Sequence, residues 1–369
     1  MSRSRLAVLG TGLIGGSIAL AARARAPEYE IVGYDDDPTT RAAAEGALDR
    51  LFDDPVAAVA GCDLVVLAMP VDRIPAVCDL LEPVVRSDAV VTDVGSAKLD
   101  VVAAGERAFG GRFVGGHPMA GSERHGIDAA DPALFDDAWW ILTPTQETSS
   151  TAYRRVAGLA GALGAHPVAL DPGTHDALVA RLSHVPQLAA SALVDVAATA
   201  GDRDALLELA GGGFRDVTRI AASDPALWVA ILRSNRNAVL EALDRVTGSL
   251  TTAAGMIRDE RWDDLAGWLE RARRARLGLF AKPVMGAEPV ALALLIPDRP
   301  GVLAEVTTAA GSLGANIEDL RIIHSTEGGR GRLELVISGH GPAAELAGAL
   351  GGLGYRVEVA PDAGLETSG

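Results

Sequence analysis

Two loops of the sequence carry residues suited to proton transfer. They are DVGSAK at residues 93–98 and GGHPMAGSE at residues 115–123, and each follows a run of strand length. Ligands of open α/β sheets bind outside the carboxyl ends of the strands. His117, held between glycines and a proline, is therefore the candidate acid–base residue, since imidazole changes charge nearest neutral pH. The alternative is a structural histidine, which is the commoner role for a lone one.

A glycine motif near the start predicts a dinucleotide site. Gly10-x-Gly12-x-x-Gly15 follows an apolar run and opens a helical stretch, and Asp35 lies 20 residues beyond Gly15. Such glycines permit a tight turn, backbone approach to the pyrophosphate and close helix–strand packing. An acid at position 35 accepts hydrogen bonds from the adenosine ribose and repels a 2′-phosphate, so NAD is favoured over NADP. The predicted NAD contacts are Gly10, Gly12, Leu13, Ile14, Gly15 and Asp35, with Met69 and Pro70 as a wall beside the cofactor.

The elements around these loops predict an α/β domain over residues 1–171. Strands alternate with helices, and the strands are continuous apolar runs, as in a parallel sheet covered on both faces. We therefore expect a Rossmann-like parallel sheet. Its predicted strands are residues 5–10, 30–35, 63–69, 89–94, 112–115, 139–143 and 167–170.

Residues 172–281 show no strand pattern and predict an all-helical domain for dimerisation and substrate binding. Ser223-Asp224-Pro225 is a helix start signal, with an N-cap side chain before a proline. The predicted helices span about 174–200, 203–210, 224–248 and 259–278.

Residues 289–361 follow a linker and change pattern again. The order strand, helix, strand, strand, helix, strand is typical of a ferredoxin-like module. The chain thus predicts three domains in succession.

Composition excludes several classes of partner. The net charge is −16 and the sequence pI about 4.9, which argues against a nucleic-acid or anionic membrane surface. Local arginines or histidines could still bind a small anionic substrate. Cys62 and Cys78 lack metal-ligand spacing, so we predict reduced structural thiols and no metal site. No apolar run approaches membrane-spanning length and no signal peptide is evident, so we expect a cytoplasmic protein.

Several motifs together resemble the prephenate dehydrogenase family. They are GTGLIGGS, DVGSAK, GGHPMAGSE, LSHVP and GGGFRDVTRIAASDPALW, in the right order between residue 5 and about 280. PDRPGVLAEV and GANIEDL resemble turns of an ACT domain, a module that binds amino acids. The resemblance implies NAD-dependent oxidative decarboxylation of prephenate to 4-hydroxyphenylpyruvate, a step of tyrosine biosynthesis.

The resemblance also implies roles for individual residues. His117 would accept the proton of the substrate's ring hydroxyl, and Ser96 would hydrogen-bond that hydroxyl or His117. Glu123 would lie beside the site, although a solvated loop carboxylate is an equal alternative. Arg219, and more weakly Arg215, would bind a substrate carboxylate.

Two residues of the LSHVP region affect the choice of substrate. His184 would project from a long helix toward the cleft. Gln187 stands where some members have a second histidine, which leaves prephenate and arogenate both open. Asn235 also matches the family, with helix packing as its expected role. Surface positions are expected for the other histidines, namely His125, His166, His175, His324 and His340.

The predicted ACT residues are Asp298, Gly301, Asn316 and Ile317, with tyrosine as the expected effector. A purely structural, dimerising module is the alternative. Beyond arogenate dehydrogenase, the rival interpretations are a hydroxyacid or imine reductase and an amino-acid-sensing regulator whose NAD domain is not catalytic. We expect a homodimer formed through the helical block.

Overall fold

The computed structural model describes residues 3–121, 126–199, 210–280, 289–297, 299, 301–324 and 330–359. Side chains are described at all of these except 279, 280, 289, 318, 319, 321–324 and 330. The chain divides into two compact units, residues 1–250 and 251–369.

An eight-stranded sheet forms the first part of the chain. Its strands are β1 (Ser4–Leu9), β2 (Tyr29–Tyr34), β3 (Arg50–Phe52), β4 (Leu64–Leu67), β5 (Val90–Asp93), β6 (Phe113–Pro118), β7 (Trp139–Thr143) and β8 (His166–Ala169). Its helices are α1 (Leu13–Arg25), α2 (Pro38–Ala43), α3 (Pro55–Val59), α4 (Ile74–Leu81), α5 (Leu99–Phe109) and α6 (Ser150–Ala162). The order β3-β2-β1-β4-β5-β6-β7-β8 places the switch point between β1 and β4, as in a Rossmann fold.

Burial on both faces explains the continuous apolar strands. On β1, Leu6 and Val8 belong to one core cluster, whereas Ala7 and Leu9 belong to the cluster on the opposite face. Successive side chains of a strand point to opposite faces of the sheet. A strand whose two faces are both buried therefore needs apolar residues throughout.

The sheet is mixed, which corrects the prediction of a wholly parallel one. Strands β1 to β6 are parallel, but β7 runs antiparallel to β6, and β8 is parallel to β7. A parallel pair needs a crossover connection, usually through a helix. The described part of the β6–β7 connection contains only a 3-10 turn, Ile127–Ala129, so the chain returns in the opposite direction.

Helices follow the sheet, as predicted. They are α7 (Pro172–Val179), α8 (Val185–Thr199), α9 (Gly212–Thr218), α10 (Pro225–Ser234), α11 (Arg236–Arg258) and α12 (Trp262–Phe280). A π-helical segment, Ala180–His184, joins α7 to α8. The predicted helix 224–248 is instead two helices, divided at Asn235. The predicted helix 203–210 lies almost wholly outside the described residues.

One helical stretch, residues 172–199, is long and apolar enough to cross a membrane by length and composition, contrary to the sequence expectation. In its most apolar part, 33% of the stretch is buried within the protein. Its buried polar residues, including His175 and His184, are typical of a helix that packs against a protein core.

The last module has the predicted order of elements. These are β9 (Pro289–Pro297), α13 (Val302–Ser312), β10 (Ile317–His324), β11 (Arg330–Ser338), α14 (His340–Gly352) and β12 (Arg356–Val359). The four strands form an antiparallel sheet in the order β10-β11-β9-β12, the ferredoxin-like arrangement. Leu292, Leu333 and Leu346 belong to its own buried core.

Candidate active site

The glycine turn joins β1 to α1 at the carboxyl edge of the sheet. Gly10 has a φ of +92°, and a Cβ there would lie 2.6 Å from the carbonyl oxygen of Ala68. A Cβ on Gly15 would lie 1.8 Å from the carbonyl oxygen of Gly10. These two positions therefore require glycine for the fold itself. A Cβ on Gly12, by contrast, would meet nothing within 4 Å.

The space at Gly12 fits a dinucleotide phosphate. The residue is the N-cap of α1, and as a glycine it offers no side-chain acceptor to the first N–H groups of this helix. Such N–H groups and the helix dipole favour an anion. Leu13 and Ile14 form the first turn of α1, and Met69 and Pro70 follow β4 at the same edge, with the Met69 backbone N against Gly10.

Asp35 lies immediately after β2 and is 8% exposed. Its Oδ2 atom accepts a hydrogen bond from the backbone N–H of Thr11 at 2.6 Å, and Oδ1 accepts one from Asp37 N–H at 3.0 Å. The Thr11 hydroxyl also donates to Oδ2, at 3.2 Å. The carboxylate is thus fixed against the glycine turn, and Oδ1 keeps a lone pair for a ribose hydroxyl.

A buried ion pair joins the ends of β5 and β6. Lys98 Nζ contacts Asp93 Oδ2 and donates to the carbonyl oxygen of Gly116 at 2.6 Å. Asp93 also accepts hydrogen bonds from the N–H groups of Gly95 at 2.7 Å and Gly116 at 3.1 Å. Both charged side chains are fully buried, and burial lowers the pKa of Lys98 despite its pairing with Asp93. This network holds the Ser96 loop beside the strand that carries His117.

His117 lies near the end of β6, and its ring contacts a second histidine. Its Nδ1 atom is 2.8 Å from Nε2 of His175, and the two rings meet edge to face. Burial lowers the pKa of His117 well below its ordinary value, and His175 and Lys98 add to this effect. His117 is therefore a neutral imidazole at neutral pH, as a proton acceptor must be.

The expected surface position of His175 is wrong. The residue is fully buried on α7, and its Nδ1 lies 2.8 Å from Asp176 Oδ1. No periodicity marks one histidine as the partner of another 58 residues away. One feature of the sequence could have indicated a buried role: His175 is followed directly by Asp176, and both lie in the helix after the last strand of the sheet. His166 and His340 are exposed, as expected, whereas His125 and the His324 side chain lie outside the described residues.

Asn235 connects His184 to the same region. Its Nδ2 atom donates to the carbonyl oxygen of Asp176 at 2.9 Å and lies 3.2 Å from Nδ1 of His184. His184 is 1% exposed, with its ring edge to face against Trp228. Burial lowers the pKa of His184 to about 4. Its contact with substrate stays a prediction.

The remaining candidates differ in their surroundings. Ser96 is half-buried, and its hydroxyl makes no hydrogen bond within the part of the chain that the structure describes. Gln187 is 5% exposed, and its Oε1 atom has no hydrogen-bond partner among the described residues. Arg219 begins a 3-10 turn, Arg219–Ala222, that packs on α8, and Arg215 lies on α9; both arginines are exposed. Glu123 lies outside the described residues.

The other sequence candidates concern metal ions, the two cysteines and the last module. Among the described residues, no group of three or more His, Cys, Asp or Glu side chains could hold a metal ion. Cys62 and Cys78 are buried free thiols, and burial raises the pKa of each to about 12. In the last module, Gly301 has a φ of +91° at the start of α13, and Ile317 begins β10 directly after Asn316. Asp298 lies outside the described residues.

Comparison with known proteins identifies the family. The model of the prephenate dehydrogenase nucleotide-binding domain matches residues 18–169, and that of the dimerization domain matches residues 171–271. A prephenate dehydrogenase of Bacillus subtilis is 34% identical over 341 residues, which cover 90% of this chain and 92% of the relative. The chain belongs to the prephenate dehydrogenase family. Because the family match begins at residue 18, the geometry of the glycine turn supports the cofactor site independently.

Solved structures agree with this family assignment. The crystal structure of Aquifex aeolicus prephenate dehydrogenase in complex with hydroxyphenyl propionate and NAD+ is similar, with a TM-score of 0.71 and 31% identity. That similarity covers 76% of this chain and 99% of the other. Synechocystis arogenate dehydrogenase has a TM-score of 0.66 and 29% identity, covering 74% and 99% of the two chains.

Proposed function

We propose that this protein is an NAD-dependent prephenate dehydrogenase that forms 4-hydroxyphenylpyruvate and CO₂ in tyrosine biosynthesis. The observation that carries the proposal is the position of His117. It lies at the strand edge that also presents the glycine turn and Asp35, and its imidazole is neutral at neutral pH.

The reaction requires a base and an electron acceptor. Prephenate carries a ring hydroxyl opposite a quaternary carbon that bears a carboxylate. NAD, when bound, accepts the hydride from the hydroxyl-bearing carbon. His117 takes the hydroxyl proton, and Ser96 hydrogen-bonds the same oxygen to fix its direction. The electron-poor ring then draws the electron pair of the carboxylate's C–C bond, so CO₂ departs and the ring becomes aromatic.

The chain's own residues supply the cofactor site. The N–H groups of the first turn of α1 would hold the pyrophosphate, and the open space at Gly12 admits it. Asp35 would bind the adenosine ribose and disfavour the extra phosphate of NADP. Met69 and Pro70, at the end of β4, would pack against the cofactor.

Substrate carboxylates need donors, and Arg219 is the first candidate because guanidinium matches carboxylate geometry. Arg215 is the weaker one, and Glu123 and His184 complete the proposed contacts. The partnerless Oε1 of buried Gln187 supports a substrate contact, since buried acceptors are normally hydrogen-bonded. An amide could accept from the amino group of arogenate, so arogenate dehydrogenase is the second candidate function.

The last module is proposed to be an ACT domain that feeds back on the enzyme. Its ferredoxin-like sheet supports this. Tyrosine is the proposed effector, with Asp298, Gly301, Asn316 and Ile317 as its contacts. If tyrosine changes neither turnover nor the melting temperature, the module is structural.

Assembly and location complete the proposal. The domains are 1–171 for NAD, 172–281 for dimerisation and substrate binding, and 289–361 for regulation. Exposed apolar side chains on the helices support a homodimer, for example Leu193, Val196 and Val229. We place the protein in the cytoplasm, with no nucleic-acid or membrane partner.

The deciding experiment is a spectrophotometric assay of reduced cofactor with prephenate and arogenate, each with NAD and NADP. We expect turnover with prephenate and NAD. Turnover confined to arogenate would select the second candidate, and NAD binding without turnover on either substrate would favour a regulator whose NAD domain is not catalytic.

A further inference from the structure

Three side chains form a hydrogen-bonded row behind the candidate base. Asp176 Oδ1 lies 2.8 Å from His175 Nδ1, and His175 Nε2 lies 2.8 Å from His117 Nδ1. The first two residues are on α7 and the third is on β6. His175 and Asp176 are buried, so the hydrogen bond between them is shielded from bulk water, whereas His117 is half-buried.

The chemistry of the row determines where its protons lie. An ionised carboxylate only accepts hydrogen bonds, so the first proton lies on His175 Nδ1. A neutral His175 then has its lone pair on Nε2 and must accept from His117 Nδ1–H. The lone pair of His117 is consequently on Nε2, an atom to which none of the described residues hydrogen-bonds.

We propose that Asp176 and His175 act as a positioning relay that holds His117 as the Nδ1-protonated tautomer and presents Nε2 as the proton acceptor. His175 and Asp176 touch neither substrate nor cofactor in this assignment. They act through His117, much as a buried carboxylate fixes the imidazole tautomer in serine proteases.

The surroundings of Asp176 fix the far end of the relay. Oδ1 also accepts from the backbone N–H of Lys98 at 2.7 Å, and Oδ2 accepts from that of Leu99 at 2.9 Å. The carboxylate thereby lies at the N-terminus of α5, where the helix dipole favours a negative charge. Asn235 Nδ2 donates to the carbonyl oxygen of the same residue at 2.9 Å, so both its backbone and its side chain are held.

The relay also gives the acquired proton a stable environment. When His117 Nε2 takes a proton, the resulting imidazolium still donates from Nδ1 to His175, and the Asp176 carboxylate lies two hydrogen bonds away. This step rests on the proposed function, whereas the resting tautomer does not depend on any substrate.

The tautomer is measured directly by ¹⁵N NMR of histidine-labelled protein at neutral pH, without substrate. The His117→Asn variant identifies the His117 signals by their loss. We expect a protonated Nδ1 and an unprotonated Nε2 on His117. In Asp176→Asn the side-chain amide can donate to His175 Nδ1. Each hydrogen bond of the row would then run in the opposite direction, and the His117 proton would move to Nε2.

Kinetics test the consequence. His175→Asn keeps a donor for Asp176 but is too short to reach His117, so we expect kcat to fall by about 10²-fold, with little change in the KM for NAD. His175→Gln can place an amide oxygen near the former Nε2 and should recover part of this loss. His166→Asn, an exposed histidine on β8, is the matched control with unchanged kcat.

The outcomes separate the relay from the proposed function. A wild-type His117 protonated at Nε2 would overturn the relay, and so would an unchanged kcat in a folded His175→Asn enzyme. If the tautomer is as proposed but the wild-type enzyme does not oxidise prephenate, the relay stands and the proposed function fails.

Discussion

The carboxylate of Asp176 accepts a hydrogen bond from the backbone N–H of Leu99 at 2.9 Å, so a side chain of α7 caps the first turn of α5. Lys98, the N-cap residue of α5, makes no side-chain cap of its own. The loop containing Ser96 leads directly into this capped helix. The helical region therefore fixes both the loop on which Ser96 lies and, through His175, the ring of His117.

Alanine substitutions in the glycine turn should separate folding from cofactor binding. In Gly12→Ala the added Cβ meets no protein atom within 4 Å, so the melting temperature should stay near wild type while NAD affinity falls. In Gly15→Ala the Cβ would lie 1.8 Å from the carbonyl oxygen of Gly10. That variant should lose about 1–3 kcal/mol of stability, the usual cost of overpacking. Thermal melts and NAD titrations test both, and equal NAD affinity in Gly12→Ala and wild type would count against the cofactor site.

Replacing the candidate base should affect turnover far more than binding. His117→Asn removes the proton acceptor, so kcat should fall by about 10²–10⁴-fold. The Kd for NAD should change little, because the imidazole is not among the proposed pyrophosphate or ribose contacts. Steady-state assays and NAD titration of the same preparation measure the two quantities. A large loss of NAD affinity with kcat preserved would remove His117 from its proposed role.

The proposed carboxylate contact should appear in the KM for prephenate. Arg219→Ala should raise it by about 10–100-fold, the equivalent of a charge-assisted hydrogen bond of roughly 1.5–3 kcal/mol. Arg215→Ala is the matched control, four residues away on an exposed helix, and should raise the KM less. Equal effects of the two substitutions would show that neither arginine is specific for the carboxylate.

His184 should make folding stability depend on pH in the acidic range. Burial lowers its pKa from 6.5 to about 4, so below pH 6.5 the unfolded chain binds a proton that the folded chain does not. The resulting stability is complete above pH 6.5 and is lost as the pH falls to about 4, by up to about 3 kcal/mol. Urea unfolding of wild type and His184→Gln across this range should show their stability difference shrinking toward acid. A stability difference that stays constant across this range would contradict the assignment.

Sequence alone located the parts of the site that rest on local rules. The glycine turn, the acid at the end of β2 and the loops after β5 and β6 all follow from spacing and from the topology of parallel strands. The direction of β7 did not follow from the sequence. An apolar run has the same pattern in either direction, and a loop can join antiparallel strands without a crossover helix.

The partners of buried polar groups could not be predicted either, because they lie far away in the sequence. Lys98 and Asp93 stood inside a motif that was singled out, but lysine and aspartate are rarely fully buried unless paired, and sequence does not show the pairing. His175 is brought to His117 only when α7 packs against the start of α5. Their contact is a product of tertiary structure.

One measurement tests most directly whether this protein couples oxidation of prephenate to loss of the ring carboxylate. Prephenate labelled with ¹³C in that carboxylate is incubated with the protein and NAD, and NADH, ¹³CO₂ and 4-hydroxyphenylpyruvate are quantified together. We predict that the three appear in equal amounts. NADH without ¹³CO₂ would indicate a simple hydroxyl dehydrogenase, and the absence of all three products would contradict the proposed reaction.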